Sequence, residues 1–319
     1  MKIVFMGTPD FARCALKKIL NAGHEVVLVV TQPDKPKGRS GKLQVSDVKA
    51  LALEKNLPVF QPDKIRSEES VAFLKNVVAD IYVVAAFGQI LSQEILDMPR
   101  LGCVNIHASL LPEYRGAAPI QQAIIDGKEV SGVTIMQMAA GMDTGDILLQ
   151  RQIPISEDET GGGLFDKLSD LGGDLIVEAL PMLERGEITP VPQDEKRATK
   201  CGKLSKDMGR IDFTKSAPSI RNLVRGLNPW PSAFTHLNGK TIKIWNCSVI
   251  SENDIRAMGA DIQNAAPGTI VAVTRNSFAV ATGEGFLDVT EVQLEGKKRM
   301  DVKTFLLGNR LSVGMILGN

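Results

Sequence analysis

The sequence predicts an α/β protein, with a doubly wound, mostly parallel, Rossmann-like sheet followed by a small OB-like β-barrel. Three observations lead there. The chain opens strand–helix–strand, the unit from which parallel sheets with right-handed crossovers are built. Its early strands are nearly continuous apolar runs, as strands covered on both faces are. Beyond Pro231 helical periodicity gives way to short alternating runs broken by turn residues. A chain of 319 residues has room for two separate cores.

Residues 2–6 form the first strand and Gly7 turns the chain. Thr8 reads as a helix N-cap and Pro9 as the first helical residue, where a missing N–H costs nothing. The helix runs to about residue 22 and ends at Gly23, which tolerates the left-handed conformation of a C-terminal cap. A Val-rich second strand follows at 25–31. Further strands are expected at 81–86 and 102–107, with helical patterns at 46–55, 67–75 and 92–96. Strands at 131–138 and 146–153 precede a long helix over 160–185.

From Gly186 to Lys203 the chain mixes Gly186, Pro190 and Pro192 with charges and loses periodicity, the composition of a linker or extended crossing segment. A helix at 217–227 leads into strands at 233–237 and 241–245. Asn238-Gly239 between them is the strongest short hairpin signal in the chain. Strands at 269–274, 278–282 and 287–292 complete the barrel. The expected domains are 1–188, a linker at 189–204, and 205–319.

Composition narrows the function classes. With 44% hydrophobic and 23% charged residues and no net charge, the chain is neither disordered nor a wholesale nucleic-acid coat. Cys14, Cys103, Cys201 and Cys247 are scattered, without the spacing of a zinc site or a disulfide framework. No apolar run approaches the roughly 20 residues that span a bilayer. The opening residues are too short for a secretory core, so a cytoplasmic location is expected. Nothing in the sequence demands more than a monomer.

Two glycine-containing turns invite a phosphate-binding reading and fail it. Gly7-Thr8-Pro9-Asp10-Phe11-Ala12 has one glycine where a dinucleotide fingerprint has three. Gly38-Arg39-Ser40-Gly41-Lys42 lacks P-loop spacing.

The stretch Asn105-Ile106-His107-Ala108-Ser109-Leu110-Leu111-Pro112 carries more. In open α/β sheets, ligands bind at the carboxyl ends of strands where the sheet order reverses. Asn105 and His107 stand two apart at the end of a central strand, hence on one face of it. Two polar groups there are costly unless they are used. A hydrogen-bonded core amide and imidazole is the bland alternative, and the polar loop ending in Glu113-Tyr114-Arg115-Gly116 weighs against it. One strand further on lies the glycine-flanked acidic loop Gly141-Met142-Asp143-Thr144-Gly145-Asp146. Asp146 reads as a turn residue, whereas Asp143 would face His107, orient it and favour the imidazolium. His24 and His236 lie in unrelated segments.

At these residues the chain resembles the methionyl-tRNA formyltransferase family. The likeness runs from Gly7-Thr8-Pro9-Asp10-Phe11 and Thr31-Gln32-Pro33-Asp34 through Asn105-x-His107, Ser109-Leu110-Leu111-Pro112 and Tyr114-Arg115-Gly116-Ala117-Ala118-Pro119-Ile120. It continues through Asp143-Thr144-Gly145-Asp146, Lys203-Leu204-Ser205-Lys206 and Asn228-Pro229-Trp230-Pro231 to Pro267-Gly268-Thr269-Ile270. The resemblance implies transfer of the formyl group of 10-formyltetrahydrofolate to the α-amino group of methionine on initiator methionyl-tRNA. It implies Asn105, His107 and Asp143 as the catalytic trio and Ser109, Leu110, Leu111 and Pro112 as the loop at the folate site. Phe87, Gly88, Gln89 and Ile90 are the turn lining the pterin pocket, partly through backbone groups. No metal enters this chemistry. Domain 1–188 would then bind folate and catalyse, and 205–319 would bind tRNA.

In that family the basic loop after Asp34 meets the acceptor stem of the tRNA. Arg39 then matches the prominent loop arginine, and Lys35, Lys37 and Lys42 are phosphate contacts. From residue 205 onward there are fourteen Lys and Arg against ten Asp and Glu, and Lys297-Lys298-Arg299 forms a further backbone-contact patch. The competing enzyme reading is a folate-dependent formyltransferase acting on an amino sugar nucleotide, which is not expected to carry a basic loop like 34–42. The non-enzyme reading is an OB-type RNA-binding protein with an inert α/β domain, against which Asn105, His107 and Asp143 argue together.

Overall fold

The computed structural model describes residues 1–36, 43–258 and 265–318. Lys37, Arg39 and Lys42 lie outside the described residues. The chain divides into two compact units. One comprises 1–119, 130–154 and 165–202, the other 120–129, 155–164 and 203–319.

The first unit is built on a seven-stranded sheet. Its strands are β1 (Lys2–Gly7), β2 (Glu25–Val30), β3 (Val59–Phe60), β4 (Ile81–Ala85), β5 (Cys103–His107), β6 (Val130–Gln137) and β7 (Ile147–Pro154). Their spatial order is β7-β6-β5-β4-β1-β2-β3. The five strands from β3 to β5 are parallel, and β6 and β7 are antiparallel additions. The chain leaves β1 toward β2 and returns on its other side at β4, so the sheet order reverses between β1 and β4. That is the crevice in which open α/β sheets hold ligands. Asn105 and His107 stand one strand beyond it, where Val84 pairs with Asn105 and His107 with Thr134.

Helices α1 (Asp10–Asn21), α2 (Asp47–Glu54), α3 (Glu68–Lys75) and α4 (Gln93–Leu96) connect the parallel strands. Ser46 and Ser67 cap α2 and α3 by accepting the Lys49 and Ser70 amides. At α1 the expectation needs correcting. Pro9 is the N-cap position, and the Thr8 hydroxyl bonds the Phe87 carbonyl instead of the helix. Gly23 does adopt the left-handed conformation, with φ 82°. The long helix over Gly161–Glu184 presses Gly172 onto β5, where a Cβ would stand 2.9 Å from Ile106. Only a glycine allows that approach behind the site strand.

The stretch 189–202 belongs to the first unit. Val191 exchanges backbone hydrogen bonds with Ile147 at 2.8 and 2.9 Å, and Lys200–Cys201 pairs in parallel with Arg115–Gly116. Without periodicity of its own, this segment satisfies its backbone on neighbouring loops.

The second unit is an antiparallel, OB-like sheet. It contains β8 (Ala233–Leu237), β9 (Lys240–Ile250), β10 (Ile270–Val273), β11 (Phe278–Ala281) and β12 (Phe286–Leu294), in spatial order β8-β9-β12-β11-β10. Asn238 and Gly239 both have positive φ, 52° and 75°, as their hairpin turn requires. Ile220 and Val224 from the helix Ala217–Gly226 join Ile242, Ile244, Val280 and Val289 in its core.

Candidate active site

The predicted catalytic side chains arrive from two pieces of unit one, the strand β5 and the loop after β6. Asn105 is half-buried near the carboxyl end of β5, and its amide has no hydrogen-bond partner among the described residues. His107 ends the same strand and is 6% exposed. Its Nε2 lies 3.0 Å from the Tyr114 carbonyl oxygen. A carbonyl only accepts, so Nε2 carries the hydrogen and donates it. This fixes the ring: Nδ1 is the free edge and bears a proton only in the imidazolium.

Asp143 presents Oδ2 3.7 Å from that Nδ1. The distance suits an ion pair or a bridging water and is too long for a direct hydrogen bond. The same oxygen accepts the Gly116 amide at 2.8 Å. A Cβ at Gly116, whose φ is 126°, would run into the Cys201 carbonyl oxygen, so this amide can be presented only by glycine.

Backbone strain collects around these groups. Ala86, Tyr114 and Asp143 have φ of 43°, 61° and 53°. Non-glycine residues held there cost about 1–3 kcal/mol each and persist only where neighbours over-determine them. Two of the three are the acceptor and the acidic partner of His107.

The loop after β5 is equally constrained. Thr134 donates to the Ser109 carbonyl at 2.7 Å and accepts the Leu111 amide at 3.1 Å. Gln150 donates to the Leu111 carbonyl at 2.8 Å, and Ser109 to the Glu113 carbonyl at 2.7 Å. Ser109 and Leu111 are buried and the Leu111-Pro112 bond is cis, while Leu110 is only partly covered.

At the switch point the turn after β4 is held by its backbone. The Phe87 carbonyl accepts the Thr8 hydroxyl and the Gln32 amide, both at 3.2 Å. Gln89 is committed at both ends of its side chain, accepting the Ile65 amide at 2.7 Å and donating to the Pro62 carbonyl at 3.1 Å. Gly88 is left-handed, with φ 83°, and Ile90 is exposed. With its one polar side chain occupied, this turn leaves main-chain groups as its polar surface.

Some of the contacts that hold this site escape a motif-based reading. Gln193 donates to the Asp143 carbonyl at 2.9 Å and to the Gly145 carbonyl at 2.7 Å, and accepts from Arg115 Nε at 3.0 Å. Arg115, 5% exposed, also grips Glu195 with two hydrogen bonds of 3.0 and 2.7 Å. That guanidinium holds the Glu195 carboxyl below its ordinary value. Thr134 could have been noticed as a polar residue between the apolar Val133 and Ile135. Gln193 leaves no such trace, sitting among Pro192, Asp194 and Glu195 in an irregular stretch.

The basic residues are spread out. Lys35 is exposed in the short strand Lys35–Pro36, which pairs with Leu43–Gln44. The base of that pair is fixed by Asp34, whose carboxylate binds Lys49 at 2.6 Å and Gln61 at 2.9 Å. In the second unit Lys297 and Lys298 are exposed. Arg299 is engaged: it chelates Glu291 at 2.6 and 2.5 Å and stacks 4.7 Å from the Trp245 ring centroid.

None of the four cysteines forms a disulfide, and burial pushes Cys103 and Cys247 up to about 12, far from reactive thiolates. No helix among the described residues is long and apolar enough to cross a membrane.

Comparison with known proteins shows the family of the chain. Residues 1–180 match the family model described as formyl transferase, and residues 203–310 match its C-terminal domain. A methionyl-tRNA formyltransferase of Lachnospira eligens is 53% identical over the full length of both chains. One from Clostridioides difficile is 45% identical, again over the full length of both. Among solved structures, an N-formyltransferase from Helicobacter canadensis, in complex with folinic acid and dTDP-3-aminofucose, superposes with a TM-score of 0.67. That match is 17% identical and covers 94% of this chain and all of the other. HypX from Aquifex aeolicus, in complex with tetrahydrofolic acid, gives a TM-score of 0.62 at 17% identity, covering 99% of this chain and half of the longer one. At such identities the solved structures establish the fold.

Proposed function

Since the chain belongs to the methionyl-tRNA formyltransferase family, we propose that Asn105, His107 and Asp143 carry its transfer step, with 10-formyltetrahydrofolate as donor. The enzyme formylates the methionine of initiator methionyl-tRNA, for the start of translation. The observation that carries the residue assignment is the orientation of His107. Its Nε2–H is committed to the Tyr114 carbonyl and its Nδ1 turns toward Asp143, two residues along β5 from Asn105.

The donor supplies an electrophilic formyl carbon. The methionine α-amine attacks it as the neutral base, a new C–N bond forms, and negative charge grows on the formyl oxygen. The Asn105 side-chain N–H is placed to hold that oxygen, and Nδ1–H of an imidazolium His107 holds it more strongly. The Asp143 carboxylate stabilises the imidazolium across 3.7 Å and accepts, through a water, the proton the amine loses. The bond to the folate nitrogen then breaks, and that nitrogen takes up a proton.

Folate binding is assigned to the backbone of Phe87, Gly88, Gln89 and Ile90 at the switch point and to Ser109, Leu110, Leu111 and Pro112. The first segment fits because its main-chain groups lie at the carboxyl end of β4, where the sheet order reverses. The tRNA contacts are assigned to Lys35, Lys37, Arg39 and Lys42, with Lys297, Lys298 and Arg299 on the second domain, 205–319. Of the last three, the two lysines are the better phosphate contacts, because Arg299 already answers Glu291. A cytoplasmic monomer accords with this role.

The test is a choice of acceptor. The protein is incubated with 10-formyltetrahydrofolate and either methionine-charged initiator tRNA or a dTDP-amino sugar. Formylmethionyl-tRNA with an unmodified sugar is the expected result. Formylated sugar with unmodified tRNA overturns the reading.

A further inference from the structure

We propose that Gln193 is a positioning residue for Asp143, and that the stretch from Val191 to Cys201 is a strap assembling the two loops that meet at His107. The inference rests on the proposed role of Asp143. One loop supplies the Tyr114 carbonyl that fixes the His107 ring, and the Gly116 amide that binds Asp143. The other supplies Asp143 itself. Apart from the two-residue strand Arg115–Gly116 neither loop is regular structure, and both hold a non-glycine residue at positive φ.

The strap bonds each of them. Thr199 accepts the Tyr114 amide on its hydroxyl at 2.8 Å and the Arg115 amide on its carbonyl at 2.9 Å. The Cys201 carbonyl accepts the Ala117 amide at 3.2 Å, and Val191 pairs with Ile147 just past the acidic loop. The side chain of Gln193 reaches both. Its Nε2 bridges the carbonyls of Asp143 and Gly145, on either side of Thr144, while its Oε1 takes Arg115 Nε. Gln193 is itself partly buried amid exposed neighbours.

The chemistry explains why an amide stands here. Two carbonyl oxygens need a donor and a guanidinium needs an acceptor, and the glutamine amide answers all three. A glutamate keeps the shape and the Arg115 contact, yet sets a carboxylate oxygen against two carbonyl oxygens. An alanine leaves both carbonyls to solvent. Either change releases the backbone at φ 53° that aims Asp143 at His107. A misplacement of about 1 Å in a catalytic group can cost on the order of 10²-fold in rate.

The experiment is a double-mutant cycle in the full chain, read as single-turnover formylation of methionyl-tRNA with melting temperatures alongside. Gln193→Ala lowers the rate constant by roughly 10- to 100-fold, Gln193→Glu lowers it at least as far, and the apparent affinity for the folate donor stays near wild type. In an Asp143→Asn background, adding Gln193→Ala costs less than about twofold, because a residue acting through Asp143 has nothing left to position. A wild-type rate in Gln193→Ala overturns the proposal. So does a full, additive penalty in the Asp143→Asn background, or loss of the folded state in both Gln193 variants, each of which marks a purely structural residue. If Asp143→Asn alone keeps wild-type turnover, the assignment of Asp143 falls, whatever Gln193 does.

Discussion

The two halves of the candidate site are built on different principles. At the switch point between β1 and β4 the groups offered to a ligand are main-chain: the turn at Phe87 and Gly88 is fixed by Thr8 and Gln32, and Gln89 is tied down elsewhere. One strand away, at the end of β5 and in the loop after β6, the groups are side chains: an amide without a hydrogen-bond partner among the described residues, a ring held in one tautomer and a carboxylate. A flat heterocycle can be read by backbone donors and acceptors under many sequences. A reaction in which charge moves needs particular functional groups at particular places. The first half therefore tolerates substitution better than the second.

That contrast can be broken by substitution on each side. His107→Ala should have the larger effect, lowering turnover by about 10²–10³-fold with the KM for the donor little changed, as for loss of one oxyanion donor. Gln32→Leu, which removes one donor to the Phe87 carbonyl, forfeits about 0.5–1.5 kcal/mol. It should appear as a severalfold rise in the donor KM, with kcat nearly intact. Steady-state kinetics with the folate concentration varied separate the two. If Gln32→Leu lowers kcat as far as His107→Ala does, the division between a binding half and a reacting half is wrong.

Legibility in the sequence follows the same line. The parallel strands, the hairpin at Asn238-Gly239 and the Gly23 helix stop were readable because periodicity and positive-φ chemistry are local properties. Asn105 and His107 were readable because alternation places them on one face. The sequence also proposes Asp143, but its 3.7 Å stand-off from His107 and its bond to Gly116 depend on two loops far apart in sequence. Thr8 looked like a cap because a threonine before a proline-led helix usually is one; here tertiary contact with Phe87 won. The stretch around Gln193 looked like a linker because hydrogen bonds made one at a time to separate loops leave no period in the sequence.

The central claim, that the side-chain half performs the transfer, is tested most directly by the single-turnover rate of formylation of methionyl-tRNA by Asn105→Ala, with folate binding measured on the same sample. The expected result is a rate about 10²–10³-fold below wild type with folate binding retained. A rate equal to wild type, with the donor bound, would contradict it.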